Sequence, residues 1–317
     1  MTLRSKSGEP GDAIRAHSNE VFEIHERMLA GAQANSRYIE LRSGRRIHVI
    51  EVGDGPSLVL LHGSGTSSLS LLPVLERLRG VRAIAVDRPG FGLSEAVLVP
   101  RARFREAAVE FLDEVLDGLG LEKPALAGNS MGGTWALWYA LARPERVRKL
   151  VLLGSAPLLP HTRAPAPLRA MTTPVVGDVL TRLMRPSPKR LVQLMSSVGE
   201  KETIVRYPEL IEALVAVGGD PLAATTNLAE LRAVITPIGF RPSARVSMDE
   251  LRDLTVPTLL IWGDHDPVGA VEVAHVTATA IPEARLEVLD AGHVPYFAHP
   301  ERASERVSGF VRPERDG

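Results

Sequence analysis

Six short apolar runs recur along the chain from residue 57 onward, each bounded by glycine, proline or charged residues. They are 57–63 (SLVLLHG), 81–87 (VRAIAVD), 124–130 (PALAGNS), 148–155 (RKLVLLGS), 257–264 (PTLLIWGD) and 285–290 (RLEVLD). Such runs are typical of strands buried on both faces, as in a parallel sheet. Stretches with helical spacing lie between them, for example 104–119. The alternation predicts an α/β fold with a doubly wound, mostly parallel sheet.

The chain before residue 57 has a different pattern. Apolar residues recur there at helical spacing: Ile14, Val21, Ile24 and Met28. They predict an amphipathic helix within an N-terminal extension, residues 1–35. Two alternating runs over 37–55, separated by Ser43-Gly44, then predict a hairpin at the start of the α/β core.

The strand-helix rhythm breaks between residues 158 and 245, a stretch rich in proline, methionine and leucine. Its apolar spacing predicts helices at 166–184, 188–197, 208–217 and 225–235, and no strand. Inserted between two sheet strands, such a helical stretch is expected to form a lid over the carboxyl edge of the sheet, where ligand crevices form. The core then comprises residues 36–157 and 246–317.

Composition narrows the classes of function. The formal net charge is -1, so the chain has no bulk attraction for nucleic acid or anionic membranes. It has no cysteine, which excludes disulfides, thiolate metal sites and cysteine nucleophiles. No apolar leader and no membrane-spanning run of about 20 residues are visible in the sequence. We therefore expect a cytoplasmic protein with a small-molecule substrate; its oligomeric state stays open, a homodimer being one possibility.

One serine is placed as a nucleophile would be. Ser130 stands in Gly128-Asn129-Ser130-Met131-Gly132, which fits G-x-S-x-G, between a predicted strand and a predicted helix. The glycines permit a bend sharp enough to project the serine side chain at the sheet edge. A tight turn with no catalytic role is the simpler alternative, but the strand-turn-helix context favours the nucleophile.

A serine nucleophile needs a base, and His293 is the best placed histidine. It lies in a glycine-bearing loop directly after the last predicted strand, and that loop opens on the same sheet edge as Ser130. Five others are interpreted as solvated or packing residues: His17, His25, His48, His161 and His275.

The base in turn needs a carboxylate to orient it. Asp264 and Asp266 both follow the strand that ends at Gly263, and either could cap a turn. Asp266 is favoured because it lies further into the loop, with Asp264 in reserve. The chain order serine, aspartate, histidine is the one expected of α/β-hydrolases.

The remaining part of such a site is a pair of backbone N–H groups that stabilise an oxyanion. We expect one from Met131, after the nucleophile, and one from Ser64 in the loop LVLLHGSGTSS. This loop lacks the lysine of a phosphate-binding P-loop. Since no dinucleotide fingerprint or metal-ligand spacing is visible either, no cofactor and no metal are expected.

Together these motifs resemble the α/β-hydrolase superfamily, in the branch with a helical lid. The resemblance covers residues 36–312 and rests on LLHGSG, DRPGFGLS, GNSMGG, GDHDPV and AGHVPYFAHPERASERVSGF. It implies a triad of Ser130, His293 and Asp266, because in similar proteins the acid follows the glycine of the GxxD turn by three residues. It also implies that Ser64, after the loop HG, donates an oxyanion N–H.

A serine at the position of Ser130 argues against the haloalkane dehalogenase and epoxide hydrolase relatives, which need a carboxylate nucleophile there. The resemblance therefore implies a carboxylesterase-like serine hydrolase. Met171, Met184 and Met195 in the lid suggest a largely apolar substrate; packing of the lid's own core is the alternative for each of them. GNSMGG is also found in meta-cleavage-product hydrolases, which cut C–C bonds, so that activity is the alternative. The chain differs from them in HGSGTSSLS, where they have a GGGPG type of loop, and in Val294, where they have tryptophan. A non-catalytic ligand-binding protein is the second alternative.

Overall fold

A computed structural model describes residues 19–32, 34–96, 101–183 and 186–313. Its strands are β1 (Asn35–Glu40), β2 (Arg46–Val52), β3 (Ser57–Leu61), β4 (Arg82–Val86), β5 (Ala125–Asn129), β6 (Leu150–Leu153), β7 (Ile235–Thr236), β8 (Gly239–Phe240), β9 (Thr258–Gly263) and β10 (Ala284–Leu289). Its α-helices are α1 (Asn19–Ala30), α2 (Leu72–Leu75), α3 (Phe104–Gly118), α4 (Met131–Ala142), α5 (Ala166–Thr172), α6 (Val176–Leu183), α7 (Pro188–Ser196), α8 (Lys201–Ile204), α9 (Pro208–Gly219), α10 (Pro221–Val234), α11 (Met248–Arg252), α12 (Val271–Ala280), α13 (Pro295–Ala298) and α14 (Pro300–Val311).

Eight of these strands form one sheet in the order β1-β2-β4-β3-β5-β6-β9-β10. β1 and β2 form the predicted antiparallel hairpin, β2 pairs antiparallel with β4, and the other neighbours are parallel. All six apolar runs are strands of this sheet, so the predicted doubly wound α/β architecture is confirmed. The strand order turns at β3, which lies between β4 and β5, and the carboxyl edge at such a switch point is where open α/β sheets bind ligands.

The five inner strands β4, β3, β5, β6 and β9 are buried on both faces, which explains why they are uniformly apolar, whereas the edge strands β1 and β10 are partly exposed. Along β3, Val59 and Leu61 belong to a core that includes residues of α3 and α4. Leu58 and Leu60 point the opposite way, into a core that includes residues of α2 and α14. Each fully buried aliphatic side chain contributes about 1.5–3 kcal/mol relative to exposure. A polar residue at any of these positions would therefore be buried in a hydrophobic core, because neither face of the strand meets solvent.

Helices α5 to α10 form an insertion between β6 and β9, within the segment predicted to be helical. The expectation that this segment has no strand is wrong, because β7 and β8 pair antiparallel there. Pro237 and Ile238 form the turn between them, and the Thr236 hydroxyl donates to the Gly239 carbonyl at 2.9 Å. Strands of two residues are too short to leave a period-2 pattern, so the sequence did not reveal them.

Two predicted helices of the insertion have different extents in the structure. The one predicted at 166–184 is two helices, α5 and α6, since Pro174 lacks the N–H that would continue the first; Met184 lies outside the described residues. The one predicted to begin at residue 225 begins at Pro221, where the Asp220 side chain accepts the Ala223 N–H at 2.9 Å. An aspartate followed by a proline is a favourable helix start that apolar spacing does not register.

The predicted N-terminal helix is α1, although Ile14 lies outside the described residues. Val21 and Ile24 are buried, and α1 packs against α9 of the insertion. His25 is buried too, with Nε2 3.6 Å from Oδ2 of Asp87 at the end of β4. Helix α1 thus contacts both the core and the insertion. Among the helices that the structure describes, none has the length and apolar character required to cross a bilayer.

Candidate active site

Ser130 occupies a sharp turn between β5 and α4, with φ +54° and ψ −122°. A non-glycine residue held there costs on the order of 1–3 kcal/mol, so the surrounding packing must enforce it. The glycines explain how. A Cβ on Gly128 would lie 2.3 Å from the carbonyl carbon of Gly132, and one on Gly132 would lie 2.2 Å from the Leu61 carbonyl oxygen. Only glycine lets strand, turn and helix approach this closely, as in a nucleophile elbow.

The structure brings His293 and Asp266 together. The imidazole Nδ1 lies 2.9 Å from Oδ2 and 3.1 Å from Oδ1 of the carboxylate. Both residues are buried, at 6% and 2% exposure. The carboxylate also accepts backbone N–H groups from Val268 at 2.9 Å and Ser155 at 3.1 Å. These donors fix Asp266 in one orientation beside the ring.

Asp264 has a different position. Its carboxylate accepts the Ala291 N–H at 3.1 Å and lies 3.6 Å from the exposed His265. Of the two aspartates after β9, Asp266 is the one hydrogen-bonded to His293. Asp264 instead fixes the turn that precedes the histidine loop.

This geometry decides the tautomer of His293. A carboxylate can only accept, so Nδ1 carries the proton and Nε2 has the free lone pair that a general base needs. Burial lowers the pKa of His293, but the nearby carboxylates of Asp266 and Glu200 outweigh it, and the pKa lies above its ordinary value. Burial raises the pKa of Asp266, but His293 and the donors around it outweigh that effect and hold it below the usual range.

A hydrogen bond ties the serine turn to the histidine loop. Asn129, immediately before Ser130, donates its side-chain amide to the Leu153 carbonyl at 2.6 Å and to the His293 carbonyl at 3.2 Å. Gly154 lies in the same contact, since a Cβ there would be 2.2 Å from the His293 carbonyl oxygen. The ends of β5 and β6 therefore hold the backbone of His293.

The loop after β3 lies against the serine. A Cβ on Gly63 would be 3.4 Å from the Ser130 Cβ. Ser64 follows in this loop, and Met131 begins α4 directly after the serine. The two residues expected to donate oxyanion N–H groups thus lie on the two segments that meet at Ser130.

His62 holds this loop rather than acting as a base. Burial and the neighbouring Arg88 charge lower its pKa to about 3, so the ring is neutral at physiological pH. Nδ1 donates to the Gly63 carbonyl at 2.8 Å, and Nε2 accepts the Arg88 N–H at 2.9 Å. Sequence reasoning did not assign His62 a role, although it belongs to the HG motif.

The insertion contributes a carboxylate to the same loop. The Ser64 hydroxyl donates to Oε1 of Glu230, on α10, at 2.5 Å. The Glu230 carboxylate also accepts hydrogen bonds from both terminal nitrogens of the Arg88 guanidinium. Arg88 is 0% and Glu230 4% exposed, so this is a buried ion pair. No motif in the sequence marks Glu230, and only folding brings it to Ser64.

A second cluster, His25, His48 and Asp87, has the residue types of a metal site, with ligand atoms within 4.8 Å of one another. Hydrogen bonds already occupy its carboxylate, which accepts the backbone N–H groups of Ser68 at 2.7 Å and Leu93 at 3.0 Å. Nδ1 of His48 lies 2.8 Å from it. The cluster is accounted for as a polar contact between α1 and the core, and it lies outside the candidate site.

Known proteins resemble this chain in sequence and in structure. A model of the Alpha/beta hydrolase family matches residues 58–306. A 2-hydroxy-6-oxononadienedioate/2-hydroxy-6-oxononatrienedioate hydrolase of Paraburkholderia phymatum is 29% identical over 290 residues, which cover 88% of this chain and 96% of that protein. One from Cupriavidus pinatubonensis is 29% identical over 303 residues, covering 90% and 99%.

Solved structures share the fold. Carboxylesterase CesB of Bacillus subtilis superposes with a TM-score of 0.72 at 24% identity, covering 92% of this chain and 97% of its own. A 2-hydroxy-6-oxo-6-phenylhexa-2,4-dienoate hydrolase of a Rhodococcus species gives 0.68 at 23% identity, covering 88% and 98%. At this identity the likeness extends to the fold, which serves both ester and C–C bond hydrolysis.

Proposed function

The chain belongs to the alpha/beta hydrolase family, and from that premise we propose that it is a serine hydrolase that cleaves carboxylic esters. Ser130 is the nucleophile, His293 the general base and acid, and Asp266 the group that orients the imidazole. The observation that carries this proposal is the buried hydrogen bond of 2.9 Å between His293 Nδ1 and Asp266 Oδ2, on a loop bonded to the serine turn. It leaves Nε2 as the basic nitrogen.

The reaction proceeds through an acyl-enzyme. Ser130 Oγ attacks the carbonyl carbon while its proton passes to His293 Nε2, and the backbone N–H groups of Ser64 and Met131 stabilise the oxyanion. The tetrahedral intermediate collapses, the C–O bond breaks, and His293 returns the proton to the departing alcohol. Water then attacks the acyl carbonyl with His293 as base, and the carboxylic acid and free serine are regenerated.

The charge around the oxyanion loop favours a neutral ester. Arg88 is the guanidinium beside this loop, and Glu230 already pairs with it. A substrate carboxylate placed there would therefore meet a guanidinium that is already neutralised, and the neutralising carboxylate is the one that Ser64 binds. Met195 is partly buried and packs against a hydrophobic core of the protein, which favours the packing role for this methionine, so the apolar character of the substrate is proposed from the apolar composition of the insertion alone.

Hydrolysis of a C–C bond is the second candidate. It is favoured by the names of the curated relatives, which are 2-hydroxy-6-oxononadienedioate hydrolases at 29% identity over 88% of this chain. Against it stand the HGSG loop and Val294. The same three residues would serve either reaction, so the substrate decides between the two.

The test compares the two substrate classes on one preparation. Initial rates are measured with p-nitrophenyl acetate, butyrate and octanoate and with a chromogenic ring-fission acid. The proposal predicts turnover of at least one ester that is lost in Ser130→Ala but kept in Ser197→Ala, an exposed serine of the insertion. Turnover of the ring-fission acid alone reverses the ranking.

Intact-mass analysis after treatment with a fluorophosphonate tests the alternative that the protein is not catalytic. A single adduct on the wild type that is absent in Ser130→Ala identifies an activated serine. No adduct on the folded wild type would favour a ligand-binding role.

A further inference from the structure

The insertion contacts the histidine loop through two hydrogen bonds at consecutive residues. The N–H of His293 donates to the carbonyl of Val198 at 2.9 Å. The N–H of Val294 donates to Oε1 of Glu200 at 2.7 Å. Val198 and Glu200 belong to the connection between α7 and α8, so one short segment of the insertion holds the backbone on both sides of the imidazole.

Two glycines make this contact possible. A Cβ on Gly292 would lie 2.6 Å from the Val198 carbonyl oxygen and 2.7 Å from Oε1 of Glu200. A Cβ on Gly199 would lie 3.0 Å from the Gly292 Cα. The two backbones meet at van der Waals distance, and a side chain on Gly292 would push Glu200 away from the loop.

Glu200 is a carboxylate in an environment that ordinarily excludes one. It is 0% exposed. Besides the Val294 N–H, it is bonded by the hydroxyl of Thr203, one turn further along. A buried carboxylate is costly unless hydrogen bonds or charges compensate it. The group that gains from its charge is a cation, and the group beside it that becomes cationic in the proposed reaction is His293.

We propose that Glu200 is a positioning residue for His293: it fixes the loop that carries the imidazole and supplies a second negative charge to the imidazolium. This inference rests on the proposed function, because the imidazolium forms when His293 takes the serine proton. Asp266 acts on the ring from the loop after β9, and Glu200 acts from the insertion. The base is therefore complete only when the insertion is seated on the core.

The electrostatics agree with this geometry. Among the described residues, the charged groups that act on the His293 ring are Asp266 and Glu200, and both raise its pKa against the effect of burial. Burial and the nearby Asp266 charge raise the pKa of Glu200, while Thr203, Val294 and His293 lower it; the balance lies above the ordinary value. Tyr296 of α13 also faces Glu200, and burial keeps its phenol neutral by raising its pKa.

The test removes the charge and keeps the shape. Glu200→Gln retains an oxygen that can accept the Val294 N–H, and Glu202→Gln makes the same change two residues further along, at an exposed position in α8. The His293 imidazole is titrated by NMR in the folded proteins, a readout that needs no substrate. We expect its pKa to fall by about half a unit to one unit in Glu200→Gln and to stay unchanged in Glu202→Gln.

Kinetics on a p-nitrophenyl ester provide the second readout. Glu200→Gln should lower kcat by about 3- to 30-fold with little change in KM, and the acid limb of the profile should move to lower pH with the imidazole pKa. An unchanged imidazole pKa in folded Glu200→Gln, or an equal shift in Glu202→Gln, overturns the proposal. If Glu200→Gln does not fold, Glu200→Asp carries the test: it keeps the charge but is one methylene too short for the Val294 N–H, so we expect a lower kcat with an imidazole pKa near the wild-type value, and an unchanged kcat overturns the positioning role.

The two proposals fail in different ways. If the wild type shows no ester turnover and no fluorophosphonate adduct, the proposed function is contradicted. The NMR titration of His293 still measures the effect of Glu200 in that case. If the wild type is active and labelled but the imidazole pKa does not change in Glu200→Gln, only the role of Glu200 is contradicted.

Discussion

The hydroxyl of Ser64 lies 2.5 Å from the carboxylate of Glu230, a residue 166 positions further along the chain. The same carboxylate pairs with Arg88, whose Nε donates to the His62 carbonyl at 3.0 Å. A chain of polar contacts thus runs from the insertion to the loop at Ser130. Because every member is buried or partly buried, each depends on its neighbour for compensation.

We expect Glu230→Ala to be strongly destabilising. It leaves the buried guanidinium of Arg88 without its carboxylate and the Ser64 hydroxyl without its acceptor, and breaking one side of a buried ion pair costs about 3–5 kcal/mol. Urea denaturation measures the loss. The control is Glu212→Ala, because Glu212 pairs with Arg27 at the surface with both side chains more than half exposed, and such pairs contribute about 0–1 kcal/mol. Equal losses in the two variants would contradict the role given to the buried pair.

The second prediction separates the two aspartates after β9. Asp266→Asn should lower kcat by roughly 10⁴-fold, because an amide can present its N–H to His293 Nδ1 and favour the wrong tautomer. Asp264→Asn should keep kcat within a few fold, since its partner is the Ala291 N–H, which an amide oxygen can still accept. Ester kinetics on both variants, with circular dichroism to confirm folding, measure the contrast. Activity lost in Asp264→Asn and kept in Asp266→Asn would exchange their roles.

The pH dependence of activity is the third prediction. The pKa of His293 lies above its ordinary value of about 6.5 because the carboxylates of Asp266 and Glu200 outweigh the effect of burial. In the proposed mechanism His293 acts as a base only when neutral, so kcat/KM should rise with pH through a midpoint above that value. A profile of kcat/KM measures it, and a midpoint below about 6 contradicts the expected balance.

Stability should change in the opposite direction over the same range. A group whose pKa is raised by folding stabilises the protein fully below its unfolded pKa, and this contribution is lost as pH rises through the folded pKa. We therefore expect the free energy of unfolding to decline with pH above about 6.5, and His293→Gln to reduce that decline. Denaturation at several pH values provides the measurement. A slope unaffected by His293→Gln would show that other groups cause it.

Two glycines provide the fifth prediction, with opposite outcomes for the same substitution. Gly132→Ala places a Cβ 2.2 Å from the Leu61 carbonyl oxygen, so we expect several kcal/mol of destabilisation or no soluble protein. Gly309 lies in α14 with nothing within 4 Å of its Cβ position. Gly309→Ala should therefore raise stability by about 0.5–1 kcal/mol, the cost of glycine in a helix. Thermal denaturation measures both changes, and similar effects from the two variants would contradict the close approach at Gly132.

Much of the fold followed from local pattern. Five of the six apolar runs are inner strands covered on both faces, where apolar side chains fit at every position, as Leu58 to Leu61 illustrate, and the sixth, β10, is a partly exposed edge strand. The insertion was harder to predict. Its helices were recognisable, but β7 and β8 were too short to leave a period, and the Asp220 cap moved the start of α10.

The sequence by itself determined the elements of the candidate site and their order, because short motifs around Ser130, Asp266 and His293 mark a strand, a sharp turn and two loops at strand ends. The tertiary structure alone decided which remote side chains complete it. Glu230 meets Ser64, and Glu200 meets the His293 loop, from segments of the insertion that carry no motif. A hydrogen bond between distant positions depends on how two packed surfaces are seated, and that follows from the whole core rather than from either segment.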